Sequence, residues 1–411
     1  MARDENATGT RSVRQADVAI IGAGIVGLAT AYKLAFQYHA DVTILEKECR
    51  VGTHQSGNNS GVMHAGLSYK PGSLKAQLAV SGIRQMRAFC AENNIPHEVC
   101  GKLVVATREK ELPLLQDLMD RGVGNGLKGL KWLDRDQLKE IEPHAAGLAA
   151  LVVPEEGIAN YSRVCSALVT KIQELGGKVV TSAKVIGLKQ SETSWRTETT
   201  VGDFQSRAIV NCAGLHSDRI AAMAGERTAL RIVPFRGQYY KLRERRESLV
   251  RNLIYPVPDP AFPFLGVHFT RQVAGGIEAG PNASLALARE GYRKSNINLR
   301  DLAEASSSRG LWRFVMRYPR VCAEEIGISF SRTLFCRALQ RLVPELQPDD
   351  LVPAGAGVRA QAILPDGTPL NDFHFVERER ALHVLNAPSP GATASLAIGD
   401  VISRMVNSQL N

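Results

Sequence analysis

The stretch Ala16-Asp17-Val18-Ala19-Ile20-Ile21-Gly22-Ala23-Gly24-Ile25-Val26-Gly27 decides the fold class of this chain. Up to Ile21 the run is short, β-branched and closed by glycine, the pattern of a strand buried on both faces of a parallel sheet. Ile25 to Phe36 has the periodicity of a helix, and Asp41 to Glu46 repeats the strand pattern. The result is a predicted β-α-β unit. In it Gly22 makes the tight turn, Gly24 lets a pyrophosphate approach the backbone, and Gly27 lets helix and strand pack closely. The helix start, with Ile25 and Val26, offers N–H groups and a positive dipole end to phosphates. Glu46 can accept hydrogen bonds from a ribose diol, and a carboxylate there argues against a 2′-phosphate. Because G-x-G-x-x-G alone also arises from ordinary turn chemistry, the strand, helix and carboxylate around it carry the reading.

FAD and NAD share this fingerprint, so the choice rests on the residues after Lys47. Residues 54–66 are polar and glycine-rich. An ordinary surface loop has the same composition, but here Gln55, Ser56, Asn59, Ser60, Gly61 and Val62 are placed to run along an extended pyrophosphate and ribityl chain. A flavin needs so long a cradle.

Further along, Ser162 to Leu175 reads as a helix, Lys178 to Val185 as a strand ending near Lys184, and Phe204 to Cys212 as a strand stopping at Ala213-Gly214. From Ile232 to Phe269 the pattern changes to short strands broken by prolines at 234, 256, 258, 260 and 263, which suits an antiparallel sheet. Asn296 to Leu342 looks mostly helical, Gly355, Gly357 and Gly367 mark turns, and a last strand at His383 to Asn386 precedes a helix from about Thr393 to Val406. The expected architecture is α/β: a Rossmann-like FAD-binding domain, a parallel sheet with helices, joined to an α+β substrate domain built on an antiparallel sheet. Residues 16–100, 150–230 and 345–411 are assigned to the first and 101–149 and 231–344 to the second, behind a disordered leader at 1–15.

A chain of 411 residues suits two intergrown cores. Its net charge of +9 favours anionic partners such as nucleotides, polycarboxylates or an anionic membrane surface. Nucleic acid is not favoured, since aromatics are only 6 % and basic residues are spread rather than interleaved with them. The excess is strongest from Arg289 to Arg320, among Leu311, Trp312, Phe314 and Val315; this reads as a solvated basic face or as a peripheral membrane-docking surface. Seven cysteines without C-x-x-C pairs signal neither a metal nor a disulfide frame and fit a reducing compartment. The first fifteen residues mix Arg3, Arg11 and Arg14 with Asp4 and Glu5 and lack an apolar h-region. A cytoplasmic protein is expected over a mitochondrial one.

Asn59-Ser60-Gly61-Val62-Met63-His64-Ala65-Gly66 with Pro71-Gly72-Ser73-Leu74-Lys75-Ala76, then Pro263 to Arg271, Gly280-Pro281-Asn282-Ala283, Gly357-Val358-Arg359-Ala360-Gln361 and Asn386-Ala387-Pro388-Ser389-Pro390, are specific pieces. Over nearly the whole chain from Asp17 onward, the sequence resembles the FAD-dependent L-2-hydroxyglutarate oxidases and dehydrogenases of the D-amino-acid-oxidase-like superfamily. The resemblance implies non-covalent FAD, with Asn211-Cys212-Ala213-Gly214 and Lys47 beside the nucleotide, the Val185 backbone on adenine, and Gly357 and Gly391-Ala392-Thr393 near the flavin. Cys212 is expected to be a small buried thiol, not a covalent flavin link.

Oxidising a 2-hydroxy acid removes a hydride from Cα and a proton from the hydroxyl, and the protein must supply a base for the proton. Histidine suits that task. His64 and His268 lie inside the family motifs; each could instead be structural, and sequence does not rank them. A dicarboxylate needs two cationic or donor clusters, for which Arg359 and Arg236 are the candidates, with Gln238, Tyr255, Lys70 and Thr270 as accessory donors. Either arginine could equally be an interface ion pair. The expected function is oxidation of L-2-hydroxyglutarate to 2-oxoglutarate, with electrons leaving to oxygen or a quinone and no metal. Alternatives are another 2-hydroxy acid, an N-methyl amino acid or glycerol 3-phosphate as substrate, or a flavin-bearing RNA-associated protein.

Overall fold

The computed structural model describes residues 14–259 and 265–410. The segments 1–13 and 260–264, with the leader's first thirteen residues and with Pro260, Pro263 and Phe264, lie outside the described residues. The opening strand runs Arg14–Ile21, so Arg14 and Gln15, assigned above to a leader, already pair with Phe204 and Gln205.

Strand Arg14–Ile21 is central in an eight-stranded sheet, parallel to Val42–Leu45 on one side and to Gly202–Asn211 on the other. Lys178–Val180 extends it beyond Val42–Leu45, and Ala381–Asn386 pairs with the end of Gly202–Asn211. All four residues of Val42–Leu45 are buried, as expected of a strand covered on both faces. Helix Ile25–Tyr38 covers one face with helices Tyr161–Glu174 and Ser395–Leu410. A Cβ on Gly399 would sit 2.8 Å from the Ala29 carbonyl oxygen, so glycine there sets how closely two of these helices cross.

The strand expected over 178–185 is two strands. Lys178–Val180 stays in the parallel ladder, the chain turns at Ser182 (φ 55°), and Val185–Gln190 starts an antiparallel ribbon. Ser182 and Ala183 donate to the carbonyls of Glu48 and Glu46 at 2.8 and 2.7 Å, which pins this turn against the end of the second strand.

A nine-stranded, mainly antiparallel sheet forms the second layer. Its backbone is Arg231–Leu242 paired along its length with Leu351–Ile363. Two expectations are corrected by this pairing. The region after Ile232 begins with one long strand that tolerates Pro234. Gly355 and Gly357 lie inside a strand, not in turns, so 351–363 belongs to this sheet and not to the nucleotide domain. The reason for glycine is close approach: a Cβ on Gly357 would lie 2.7 Å from the Asn58 carbonyl oxygen. Lys102–Ala106 and Ala149–Val153 also belong to this sheet, which moves residues 150–153 across the expected boundary. One hydrophobic cluster runs through both layers, from Val18, Leu28 and Ile44 to Val104, Leu151 and Leu253. Each such buried aliphatic side chain contributes roughly 1.5–3 kcal/mol, so the two layers stabilise one another.

Candidate active site

A cavity of 1160 Å³ lies between the sheets, beyond the ends of the parallel strands. Ordinary small-molecule pockets hold about 300–1,000 Å³, so this one has room for a large cofactor and a small substrate.

At one end stand the glycine turn and the start of helix Ile25–Tyr38. Gly22 has φ 106°, and a Cβ there would lie 2.6 Å from the Cys212 carbonyl oxygen. Gly27 does not line the cavity; its missing side chain lets the helix approach the turn, since a Cβ would meet the Gly22 carbonyl oxygen at 2.1 Å. The N-cap, Gly24, brings no capping side chain. Ser56 Oγ instead accepts the Ile25 N–H at 2.9 Å, tying the polar loop to the helix start beside Val26. Glu46, 7 % exposed, accepts the N–H groups of Ala23 and Glu48 at 2.8 and 2.9 Å, which orients its carboxylate at the cavity wall.

The loop at 52–62 is braced along this wall. Asn59 donates to the carbonyls of Gln55 and Ser56 and accepts from Gly61, while Gln55 Oε1 accepts the Ala360 N–H at 3.0 Å. Ser60, Val62, Val185, Ala213, Gly214, Gly357, Gly391, Ala392 and Thr393 complete the lining, whereas Gly61 sits behind it. Burial pushes the Cys212 thiol up to about 12, so it presents no thiolate for covalent attachment. The bare helix start, the space a Cβ at 22 would fill, the buried carboxylate and the long cradle fit a dinucleotide of FAD's length. Glu48, His54 and Glu290 have the spacing of metal ligands, but the Lys47 ammonium binds both carboxylates and takes the cation's place.

At the other end the cavity is lined by His64, His268, Tyr255, Tyr69, Tyr239, Arg359, Lys75 and Lys102. His64 sits where the chain leaves the flavin-side loop; its backbone N–H donates to Thr393 Oγ1 at 3.2 Å. Its Nδ1 faces Glu156 Oε2 at 3.2 Å, and the Lys102 ammonium meets the same oxygen at 2.7 Å. Glu156 is 1 % exposed. Burial alone would push its carboxyl up, but Lys102 and His64 together hold it down at about 2. An ionised carboxylate on Nδ1 keeps the proton there and leaves Nε2 as the acceptor.

His268 is built differently. Its Nδ1 donates to the Gly266 carbonyl at 3.0 Å, and its ring stacks on Tyr255 with centroids 3.8 Å apart. With 5 % exposure and no carboxylate beside it among the described residues, burial pushes the imidazole down to about 3, and the charges of His64, Lys102 and Arg359 add to that. Burial raises the Tyr255 phenol well above its usual range, so it stays a donor. Its hydroxyl lies beside that of Thr270 but outside hydrogen-bonding geometry.

Four expected substrate residues fall outside the cavity wall. Arg359 pairs with Phe235, and Arg236 with Val358, so the two arginines occupy successive register positions. Strand side chains alternate faces, which puts Arg236 and Gln238 on the side away from Arg359. Arg236 donates to the Tyr292 carbonyl at 3.2 Å instead. Lys70 is exposed in the turn before Pro71, and Thr270 is buried behind Tyr255. Residues missed by the sequence reading are Glu156, Lys102, Lys75, Tyr69 and Tyr239. Lys102 carried a signal: a lysine heading the apolar run Leu103-Val104-Val105 must find an anion once buried. Tyr239 follows from period two, since it shares a strand face with Gly237 and Phe235.

Residues 17–405 match the family model described as FAD dependent oxidoreductase. A protein of Indibacter alkaliphilus named L-2-hydroxyglutarate dehydrogenase is 50 % identical over 387 residues, covering 94 % of this chain and 97 % of that one. The L-2-hydroxyglutarate dehydrogenase of Escherichia coli is 41 % identical over 396 residues, covering 96 % and 94 %. Among solved structures, L-alpha-glycerophosphate oxidase from Mycoplasma pneumoniae with FAD bound has the same fold, with TM-score 0.79 at 23 % identity over 96 % of this chain and 95 % of that one. Fingerprint, cavity and relatives agree: the chain belongs to the FAD-dependent oxidoreductases, on the branch of the L-2-hydroxyglutarate dehydrogenases.

Proposed function

We propose that this enzyme oxidises L-2-hydroxyglutarate to 2-oxoglutarate, with His64 as the base and Arg359 on the carboxylate next to the reacting carbon. The observation that carries this reading is His64 held on an ionised Glu156 in the same chamber as Arg359. Bound FAD supplies the acceptor for the hydride leaving Cα. His64 Nε2 takes the hydroxyl proton, and Glu156 stabilises the resulting imidazolium without itself being protonated. His268 remains neutral and, with the Tyr255 hydroxyl, holds the hydroxyl and carboxylate in place. An amine substrate would want a carboxylate at this end, but the carboxylates lining the cavity, Glu46, Glu48, Glu290 and Asp301, stand on the nucleotide side. The test is anaerobic mixing of the holoenzyme with a panel of hydroxy and amino acids. L-2-Hydroxyglutarate should bleach the flavin fastest; bleaching by an amino acid or glycerol 3-phosphate in its place would overturn the reading.

For electron exit, oxygen and a quinone are the two candidates, and the surface favours the quinone. Among the described residues no helix is long and apolar enough to cross a membrane. Yet helices Arg309–Arg317 and Pro319–Phe330 expose Trp312 at 55 %, Met316 at 70 % and Phe330 at 77 % beside exposed Arg309, Arg317 and Arg320. Basic residues near an anionic surface contribute about 1 kcal/mol each. The protein, on the cytoplasmic side, should float with anionic vesicles and not with neutral ones. Replacing those three arginines by glutamine should weaken binding on the order of 100-fold, at about 1 kcal/mol per residue. Equal flotation of variant and parent would rule the surface out.

A further inference from the structure

Lys75 lies in the first turn of helix Leu74–Glu92, which is capped by Ser73. Helix phase turns it inward to the cavity wall. Its ammonium sits 4.6 Å from the centroid of the Tyr69 ring and donates to the Asn371 carbonyl at 2.9 Å. No ion-pair partner within 4.0 Å is found for it among the described residues. It shares the chamber with Arg359; burial, with Arg359 adding and Asp372 opposing, pushes it down to about 8. Arg359 comes from the sheet, on the strand position paired with Phe235, and Lys75 from the first turn of the helix, so two cations from different elements line one chamber and suit the two ends of a dicarboxylate.

We infer that Lys75 holds the carboxylate remote from the reacting carbon and so makes the site select a dicarboxylate over the corresponding monocarboxylate. This rests on the reading that the substrate is L-2-hydroxyglutarate. A lysine already held by one carbonyl and one ring loses little further freedom on binding, and its remaining N–H donors suit a carboxylate as a point charge. Tyr69 forms the wall on which the ammonium rests, fixing its distance from Arg359. A substrate with an apolar end would cover that ammonium and leave it only the Asp372 carboxylate, which accepts the Lys75 backbone N–H and forms no ion pair with the ammonium, a penalty that rejects it.

The test uses the holoenzyme and its Lys75→Gln and Lys75→Arg variants, with bound FAD measured by visible absorbance as the check on folding. Anaerobic flavin reduction is compared for L-2-hydroxyglutarate and for L-2-hydroxypentanoate, which has a methyl group in place of the remote carboxylate. Lys75→Gln should lose on the order of 10- to 100-fold in kcat/KM on the dicarboxylate, the size of one charge-assisted hydrogen bond. Its rate on the monocarboxylate should hold or rise, and Lys75→Arg should recover most of the dicarboxylate rate. Equal loss on both substrates, or no loss on either, would overturn the assignment. Spectral titration of the oxidised enzyme with glutarate and with pentanoate repeats the comparison without turnover. If L-2-hydroxyglutarate failed to reduce the wild type, the substrate reading would fall, while glutarate binding lost only in Lys75→Gln would still place the carboxylate contact at Lys75.

Discussion

Replacing His64 by asparagine should lower the rate of anaerobic flavin reduction by roughly 10²- to 10⁴-fold, the ordinary contribution of a positioned general base, while FAD stays bound. Replacing His268 the same way should cost less. The two histidines are neighbours in one chamber, and both present Nε2 once Nδ1 is engaged. What separates them is the cost of becoming positively charged. Proton transfer to His64 puts the new charge on a ring whose other nitrogen faces a carboxylate at 3.2 Å. A proton on His268 would be buried against Tyr255, with the neutral Gly266 carbonyl on its Nδ1 and two cationic side chains nearby. The measurement is single-turnover reduction with L-2-hydroxyglutarate for both asparagine variants, at equal flavin occupancy. A larger loss in the His268 variant would reverse the assignment of the base.

The sequence carried the nucleotide half of the site because its elements are consecutive. Glycine turn, helix and Glu46 fall within one β-α-β unit, where spacing along the chain is spacing in the fold. In the substrate half the contributing segments are far apart. Glu156 reaches His64 from a turn 92 residues away, Lys102 reaches Glu156 from a strand start 38 residues after His64, and neither carries a motif of its own. Sequence ranks Arg359 ahead of Arg236 as a carboxylate ligand but keeps both; only the pairing of Phe235 with Arg359 shows that they face opposite ways. Lys70 and Lys75 differ in the same manner. Lys70 precedes a Pro-Gly turn and points to solvent, whereas Lys75, inside a capped helix, is directed inward. Gly355 and Gly357 read as turns because glycine punctuates loops more often than strands, and the close approach of Asn58 that calls for Gly357 lies 299 residues away in sequence. Local chemistry was legible; strand register and helix phase were not.

Replacing Glu156 by glutamine should damage both catalysis and stability. For catalysis, the amide removes the negative charge that favours the imidazolium and no longer fixes the tautomer, so kcat should fall roughly 10²- to 10⁴-fold. Glu156→Asp, which keeps the negative charge, should restore part of the rate. For stability, the variant leaves the Lys102 ammonium, 8 % exposed, without its partner, at a cost on the order of 3–5 kcal/mol near neutral pH. The sign of the pH dependence comes from the carboxyl being held down at about 2 in the folded enzyme. A depressed carboxyl contributes fully above its unfolded value near ~4.3 and fades as pH falls through the folded value. Urea midpoints of enzyme and variant should therefore differ most at neutral pH and converge below about pH 4, as that linkage requires. A constant difference from pH 7 into that range would mean that the Lys102–Glu156–His64 charges do not act together as described.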